Sequence, residues 1–161
     1  MKIVVFFISI ILFLISLGTH VASKFRIVLP EAFYSIHFFA ILLFASGLFL
    51  KLFQNKSKEK NGVFEGIPPI FTTFGGILVL YAVFNFFSSL GSVGNGVPHV
   101  VENGKFYISG RNVPKREITM EEYIDLKSKI SSGFSGHWLL FLYVSVLLWY
   151  PVKENQKPED T

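Results

Sequence analysis

Four long apolar segments occupy roughly half of this chain and constrain its fold more than any other feature. They cover about residues 3–19, 31–53, 67–90 and 134–152. An α-helix rises about 1.5 Å per residue, so about 20 apolar residues match the ~30 Å hydrocarbon core of a bilayer. The sequence therefore predicts an all-α membrane protein, a bundle of four transmembrane helices that forms one membrane domain over residues 1–161.

Composition supports this prediction and excludes several classes of protein. Hydrophobic residues make up 51% of the chain and charged residues 16%, whereas an ordinary soluble domain has about 25% charged residues. The sequence has no cysteine, which excludes disulfides, thiolate catalysis, Cys-ligated zinc and iron–sulfur clusters. The net charge of +4 is modest, and lysines in short loops would meet anionic lipid headgroups, so no nucleic-acid partner is predicted.

The first apolar segment has two interpretations. Lys2, the apolar run from Ile3 to Leu17 and the small residues Val21-Ala22-Ser23 also fit a cleavable signal peptide. A run of 15 apolar residues is long for a signal peptide and short for a membrane span, although Gly18 and Thr19 extend it. We expect a retained span, with cleavage as the alternative. In both cases the chain reaches Pro30 on the same side of the membrane.

The orientation prediction rests on basic residues near the ends of the spans, because cytoplasmic loops carry an excess of Lys and Arg. Seven such residues fall on the side of both termini and five on the side of the loop 91–133. The seven are Lys2, Lys51, Lys56, Lys58, Lys60, Lys153 and Lys157, and the five are Lys24, Arg26, Lys105, Lys127 and Lys129. We therefore expect both termini in the cytoplasm and the long loop on the outer side.

Helix entries and packing surfaces can also be predicted within the spans. Pro68-Pro69 fits the first turn of the third span, where a helix tolerates proline. Thr72 and Gly76, with Gly75 beside them, form a pair of small residues four apart, and such pairs let helices approach closely in lipid. Residues 45–47 offer a similar small surface on the second span. We expect both surfaces to face the inside of the bundle.

The sequence of the loop 91–133 predicts a small extracytoplasmic β-hairpin followed by an amphipathic helix. Asn103-Gly104 separates two β-prone segments and is the preferred sequence for a two-residue type I′ turn. Thr119 and Glu122 have the spacing of a capping box, which predicts a helix start. We expect this helix to end near residues 131–133, with Gly133 in the position that follows the helix C-terminus. A separate fourth span would then begin at Phe134.

Three segments of the chain carry a resemblance to known sequences. They are Asn103-Gly104-Lys105-Phe106-Tyr107-Ile108, Ile118-Thr119-Met120-Glu121-Glu122-Tyr123 and Phe134-Ser135-Gly136-His137-Trp138. Together they resemble uncharacterised small bacterial membrane proteins with a similar layout of four spans. The resemblance implies a bacterial cytoplasmic membrane and a role for the junction at residues 135–138. It implies no activity, because none is assigned to those proteins.

A polar cluster near the outer membrane face follows from the order of the spans. Counting crossings places Glu31, His37, Asn85, Ser88 and His137 toward the same face. Imidazoles and a carboxylate that converge there could ligate a metal or haem, or relay protons. However, no two histidines have the i, i+4 spacing of a helical metal motif, and Glu31 and His37 lie about 120° apart around a helix.

Each of these polar residues also has a simpler role. Glu31 follows a proline and suits the first turn of a helix, where negative charge is favourable. For His37 we expect a hydrogen bond to a neighbouring helix, with Tyr34, Asn85 or Ser88 as candidate partners. His20 and His137 fit the interface between membrane and water. These roles require no cofactor, and none is predicted; haem or metal remains the alternative.

No complete catalytic, metal-binding or nucleotide-binding motif occurs in the sequence. Besides the lipid bilayer, we therefore expect a membrane-protein partner, contacted through the outer loop by a non-enzymatic accessory, assembly or immunity-type subunit. The alternative is a small oligomeric transporter, or a bundle that binds a ligand, metal or haem at the outer polar cluster. A membrane enzyme that uses His37 and His137 is a third class.

Overall fold

Four helices and three strands make up the described part of this computed structural model, which comprises residues 2–55, 63–64, 66–93, 96–100, 104–110 and 113–151. The helices are α1 (Lys2–Lys24), α2 (Ile36–Asn55), α3 (Pro69–Val93) and α4 (Met120–Leu148), and a 3₁₀ turn (Glu31–Ser35) precedes α2. The strands are β1 (Val97–Val100), β2 (Phe106–Gly110) and β3 (Val113–Ile118). All four helices are long and apolar enough to cross a membrane, as predicted.

The helix α4 lies at the centre of the bundle and packs against each of the other three helices. Trp138 and Leu142 of α4 are fully buried and pack against Ile36 and Ala40 of α2. By contrast, the outward faces of α1, α2 and α3 expose many large apolar side chains. The buried core of this protein therefore surrounds α4, whereas many large apolar side chains of α1, α2 and α3 lie on the outer surface of the bundle.

The third candidate span begins at the prolines, as predicted. α3 starts at Pro69, and the carbonyl oxygen of Pro68 accepts a hydrogen bond from the backbone N–H of Phe71 at 3.0 Å. Proline is tolerated in a first helical turn because its missing N–H would have no partner within the helix. The sequence therefore located this helix start correctly from local chemistry alone.

The predicted packing surface of α3 is correct for Gly75, which faces α4, but not for Gly76. Gly75 is buried, and a Cβ atom there would lie 3.2 Å from the ring of Tyr143, whereas Gly76 is exposed. Neighbouring positions on a helix point about 100° apart, so only one of two adjacent glycines can face α4. On α2, Gly47 is buried within the predicted small surface.

A three-stranded antiparallel sheet, in the order β1-β2-β3, caps one end of the bundle, which we call the sheet end. The predicted hairpin corresponds to β1 and β2, paired with Val100 opposite Phe106. Gly104 has a φ of 71°, while Asn103 lies outside the described residues. β3 was not predicted, because it contains Pro114 and three charged residues that are depleted in strands and tolerated at a sheet edge.

The predicted boundary between the loop helix and the fourth span is wrong. The capping box is present, with hydrogen bonds of 3.1 Å in both directions between Thr119 and Glu122. From there, however, α4 continues without interruption to Leu148, so the amphipathic helix and the fourth span are one helix of 29 residues. Gly133 does not end a helix; a Cβ atom there would lie 2.6 Å from Ser89 of α3, so it is a packing position.

Candidate functional site

A chain of side-chain hydrogen bonds joins α1, α3 and α4 near the sheet end. Nδ1 of His20 lies 2.8 Å from Oγ of Ser135, and Nε2 of His20 is hydrogen-bonded to the hydroxyl of Tyr81. Ser135 donates its only hydroxyl proton to the carbonyl oxygen of Ser131 at 2.7 Å. Its Oγ must therefore accept from Nδ1–H of His20, which leaves Nε2 to accept from Tyr81.

Asn85 forms a second polar contact between α3 and α4. Its amide nitrogen donates to the carbonyl oxygens of Ser132 at 2.8 Å and Gly133 at 3.4 Å. The hydroxyl of Ser132 donates to the Asn85 amide oxygen at 3.4 Å. Because Asn85 is buried, these bonds satisfy a polar group that would otherwise be costly in an apolar interior. The two contacts fix how α1 and α3 dock on α4.

His20, which we expected at the interface between membrane and water, is buried within the bundle with 6% of its surface exposed. Its partners on α4 were not predicted from the sequence. Small residues recur on this helix at Ser128, Ser131, Ser132, Gly133, Ser135 and Gly136. Small residues three and four positions apart favour close packing of helices. This pattern was not recognised because a helix boundary was wrongly predicted within it, at residues 131–133.

A mainly apolar cavity of about 510 Å³ lies between α2, α3 and α4 at the sheet end, and we call it the histidine cavity. Its lining includes His37, Phe86, Leu90, Phe134, His137 and Phe141. Val97 of β1 also contributes to it. Ligand pockets in proteins have volumes of about 300–1,000 Å³ and combine apolar walls with a few polar groups. The histidine cavity has both properties.

The two histidines of this cavity have different hydrogen-bonding roles. Nδ1 of His37 accepts from the indole N–H of Trp138 at 3.2 Å, so in the neutral ring Nε2 carries the proton. Nδ1 of His137 donates to the carbonyl oxygen of Gly133 at 2.8 Å, so its Nε2 is an acceptor. Among the described residues neither Nε2 atom has a hydrogen-bond partner. In the described part of the chain, Nε2–H of His37 is therefore an unpaired donor and Nε2 of His137 is an unpaired acceptor.

A second, polar cavity of about 240 Å³ lies between the ends of α1, α3 and α4, and we call it the basic cavity. Its charged lining consists of Lys24, Arg26, Lys129 and Asp125. Asp125 accepts from Arg26 at 3.2 Å and from Lys129 at 2.7 Å. The lining thus has one carboxylate and three cations, and Arg26 also pairs with Glu121 at 3.8 Å. The cavity keeps an excess of positive charge. Ser89 of α3 lines both cavities.

The backbone at Arg26 is in a conformation that usually belongs to glycine. Its φ is 59°, and no other non-glycine residue in the described ranges has a positive φ. The N–H of Arg26 bonds to Ser23 and that of Ile27 bonds to Ala22, the pattern of a Schellman motif. A side chain in this conformation costs about 1 kcal/mol or more. The exposed pair of Arg26 with Glu121 returns about 0.2–1 kcal/mol, and its second pair is with the half-buried Asp125.

The predicted polar cluster is divided in the structure. His37 and His137 line the histidine cavity, whereas Asn85 and Ser88 line the basic cavity. The carboxylate of Glu31 is exposed and lies 3.6 Å from Lys127. His37 bonds to Trp138 and not to Asn85, because α2 and α3 dock on different faces of α4. Among the described residues, no group of three or more metal-ligating side chains converges.

Comparison with known proteins gave no relative. A scan of protein-family models found no match, and neither curated proteins nor solved structures yielded a similar chain. The cavities and their chemistry therefore carry the functional argument.

Proposed function

We propose that this chain is a non-enzymatic integral membrane protein that binds a long-chain amphiphile with a hydroxyl headgroup in the histidine cavity. The observation that carries the proposal is an apolar cavity of about 510 Å³ that both His37 and His137 line. The apolar walls suit a hydrocarbon chain, and the two imidazoles suit a small polar headgroup. No cofactor is part of this proposal.

Support for the membrane location comes from the outward faces of the helices. Phe38, Ile70 and Phe84 each expose 74% of their surface, and many other large apolar residues on α1, α2 and α3 are exposed as well. Soluble monomers rarely expose contiguous apolar patches larger than a few hundred Å². The bilayer is the solvent that suits such a surface. We place the protein in a bacterial cytoplasmic membrane, with both termini inside and the sheet end outside.

The hydrogen-bonding state of the two histidines selects the headgroup. Nε2–H of His37 is a free donor and Nε2 of His137 is a free acceptor among the described residues. A hydroxyl group donates one hydrogen bond and accepts others, so it satisfies both atoms. An ether oxygen can only accept and would leave His137 unpaired. The cavity therefore favours an alcohol over its methyl ether.

The test uses purified protein in liposomes and a long-chain alcohol that carries a photoreactive diazirine. We expect labelled peptides from the cavity walls, and we expect Leu90→Trp to reduce labelling about tenfold because Leu90 lines the cavity and the larger indole occupies part of its volume. Val83→Trp is the matched control, since Val83 is also half-exposed on α3 but does not line the cavity. Labelling that Leu90→Trp leaves unchanged would exclude this cavity.

The headgroup is tested with the same chain as its methyl ether. Loss of one hydrogen bond is worth about 1 kcal/mol, so the ether should compete about fivefold more weakly than the alcohol. His137→Phe should remove this difference, because the acceptor is then absent. His99→Phe is the control histidine variant, since His99 lies on β1 outside the cavity. Equal competition by alcohol and ether would contradict the proposed headgroup.

A second candidate function is an accessory subunit that contacts a membrane-protein partner through the sheet. The observation that favours it is the way the sheet is fixed to the bundle. Ile118 of β3 is buried and leads directly into α4, and the rings of Phe106 and Tyr123 are 4.8 Å apart. β3 is an edge strand of the sheet, and such an edge can pair with a strand of another protein.

The accessory function predicts crosslinks confined to the edge strand. A photoreactive amino acid at Lys115 of β3 should yield one reproducible partner in native membranes, whereas the same group at Leu52 should not. Both positions are exposed, but Leu52 lies on α2 at the far end from the sheet. Crosslinks to a second copy of this chain would instead support an oligomeric bundle. Identical products from the two positions would contradict docking at the sheet.

A further inference from the structure

The basic cavity differs from the histidine cavity in charge and position, although Ser89 lines both, and the proposed function makes no use of it. From its geometry we propose that it binds a phosphate group through Lys24, Arg26 and Lys129. Arg26 and Lys129 are both oriented by Asp125, at 3.2 Å and 2.7 Å. Glu121, outside the lining, also pairs with Arg26 at 3.8 Å, so the three cations meet two carboxylates, and the remaining positive charge selects an anion.

The backbone of Arg26 supplies an observation independent of this charge. Glycine is the usual residue at this position of a Schellman motif, because it adopts a positive φ without strain. The arginine with a φ of 59° therefore keeps its side chain at a cost that neither of its two ion pairs exceeds by itself. Guanidinium groups bind phosphate oxygens through two parallel hydrogen bonds, which gives this side chain a function that glycine lacks.

The end of α1 does not repel an anion as an open helix C-terminus would. The carbonyl oxygens of Ala22 and Ser23 accept hydrogen bonds from the N–H groups of Ile27 and Arg26, at 3.1 Å and 3.2 Å. These bonds satisfy carbonyl groups that would otherwise carry the negative end of the helix dipole. The positive side chains therefore dominate the potential of the cavity.

Two sources supply a phosphate with the same chemistry, a lipid headgroup and a free phosphate ion. The cavity has a volume of about 240 Å³ and lies at the ends of three candidate spans, where lipid headgroups are found in a membrane. Binding of phosphatidylglycerol is measured by native mass spectrometry of the full chain in a maltoside detergent, which contains no phosphate. Inorganic phosphate is the second probe, added as a competitor.

We expect Arg26→Gly to have two opposite effects. It should weaken phosphatidylglycerol binding about tenfold, because the guanidinium is lost, and it should raise the thermal midpoint by a few degrees, because glycine relieves the strained backbone. A residue with a merely structural role would not give a more stable variant that binds less. Lys24→Gln should weaken binding without raising the midpoint.

Lys115→Gln is the control for charge, because it removes one exposed cation from β3 outside the cavity. We expect its affinity for phosphatidylglycerol to stay within twofold of the wild type. Displacement of the lipid by millimolar inorganic phosphate would assign the site to the free ion, and retention of the lipid would assign it to the headgroup. Equal losses in Arg26→Gly and Lys115→Gln, or no binding of either probe, would overturn the proposal.

Discussion

Replacing Gly136 by alanine will lower the free energy of unfolding by about 2–4 kcal/mol, the largest effect that we expect from a single methyl group in this protein. A Cβ atom at this position would overlap the amide nitrogen of Asn85. The Asn85 side chain must then move and give up its hydrogen bonds to Ser132 and Gly133. The cost therefore combines overpacking with a buried amide left unpaired.

Gly76→Ala is the matched control for this prediction. Among the described residues, nothing lies within 4 Å of a Cβ atom at Gly76, apart from its own helix. Alanine favours a helix over glycine by about 1 kcal/mol, so this variant should be neutral or slightly more stable. Unfolding by steric trapping in bicelles measures both variants against the wild type. Equal stability of Gly136→Ala and Gly76→Ala would show that α3 does not approach α4 as closely as described.

The effect of Gly136→Ala should also depend on Asn85. In an Asn85→Ala background the added methyl group has space, so Gly136→Ala should cost much less there than in the wild type. Such non-additivity is expected of residues in direct contact. Additive losses in the double variant would place the strain elsewhere.

Replacing His20 by leucine should lower the free energy of unfolding by about 2–3 kcal/mol. The variant removes two hydrogen bonds, one to Ser135 on α4 and one to Tyr81 on α3. Hydrogen bonds between helices in membranes contribute about 0.6–2 kcal/mol each, and the hydroxyl of Tyr81 is left without its acceptor. The packing of α1 against both α3 and α4 should therefore become less stable.

His99→Leu is the control for removing an imidazole. His99 is half-buried on β1 and stacks on Tyr107 of the neighbouring strand. We expect its effect to stay within about 0.5 kcal/mol, as for most surface substitutions. Tyr81→Phe should cost about 1 kcal/mol alone and almost nothing when His20 is already leucine. Similar losses for His20→Leu and His99→Leu would argue against the hydrogen-bonded chain.

Local features of this fold could be predicted because their physics is local. The proline at the start of α3 and the capping box at Thr119 involve atoms a few residues apart. The β1–β2 pairing joins two β-prone segments that are close in the sequence. By contrast, the sequence around Gly133 fits two roles, the residue after a helix end and a position where two helices approach closely. Only its approach to Ser89 distinguishes these two roles.

For the candidate site, the sequence predicted which polar residues take part and that they lie at the same end of the bundle. It did not predict which of them come into contact. Counting spans brings His37, Asn85 and His137 to one end of a bundle, but it does not say on which face of a neighbouring helix each one docks. In the structure α4 is the common partner of α1, α2 and α3. His37 and Asn85 therefore contact different faces of α4 and line different cavities. The role of His20 was missed for the same reason.

The sequence by itself determined that the chain forms four helices long and apolar enough to cross a membrane, since hydropathy and length are sums over neighbouring residues. The tertiary structure decided that α4 is one continuous central helix and that its serines and glycines receive α1 and α3. It also decided that the polar residues near the sheet end form two cavities and a hydrogen-bonded chain. Those features depend on distances between residues far apart in the chain, such as the 115 positions between His20 and Ser135, which no local pattern encodes.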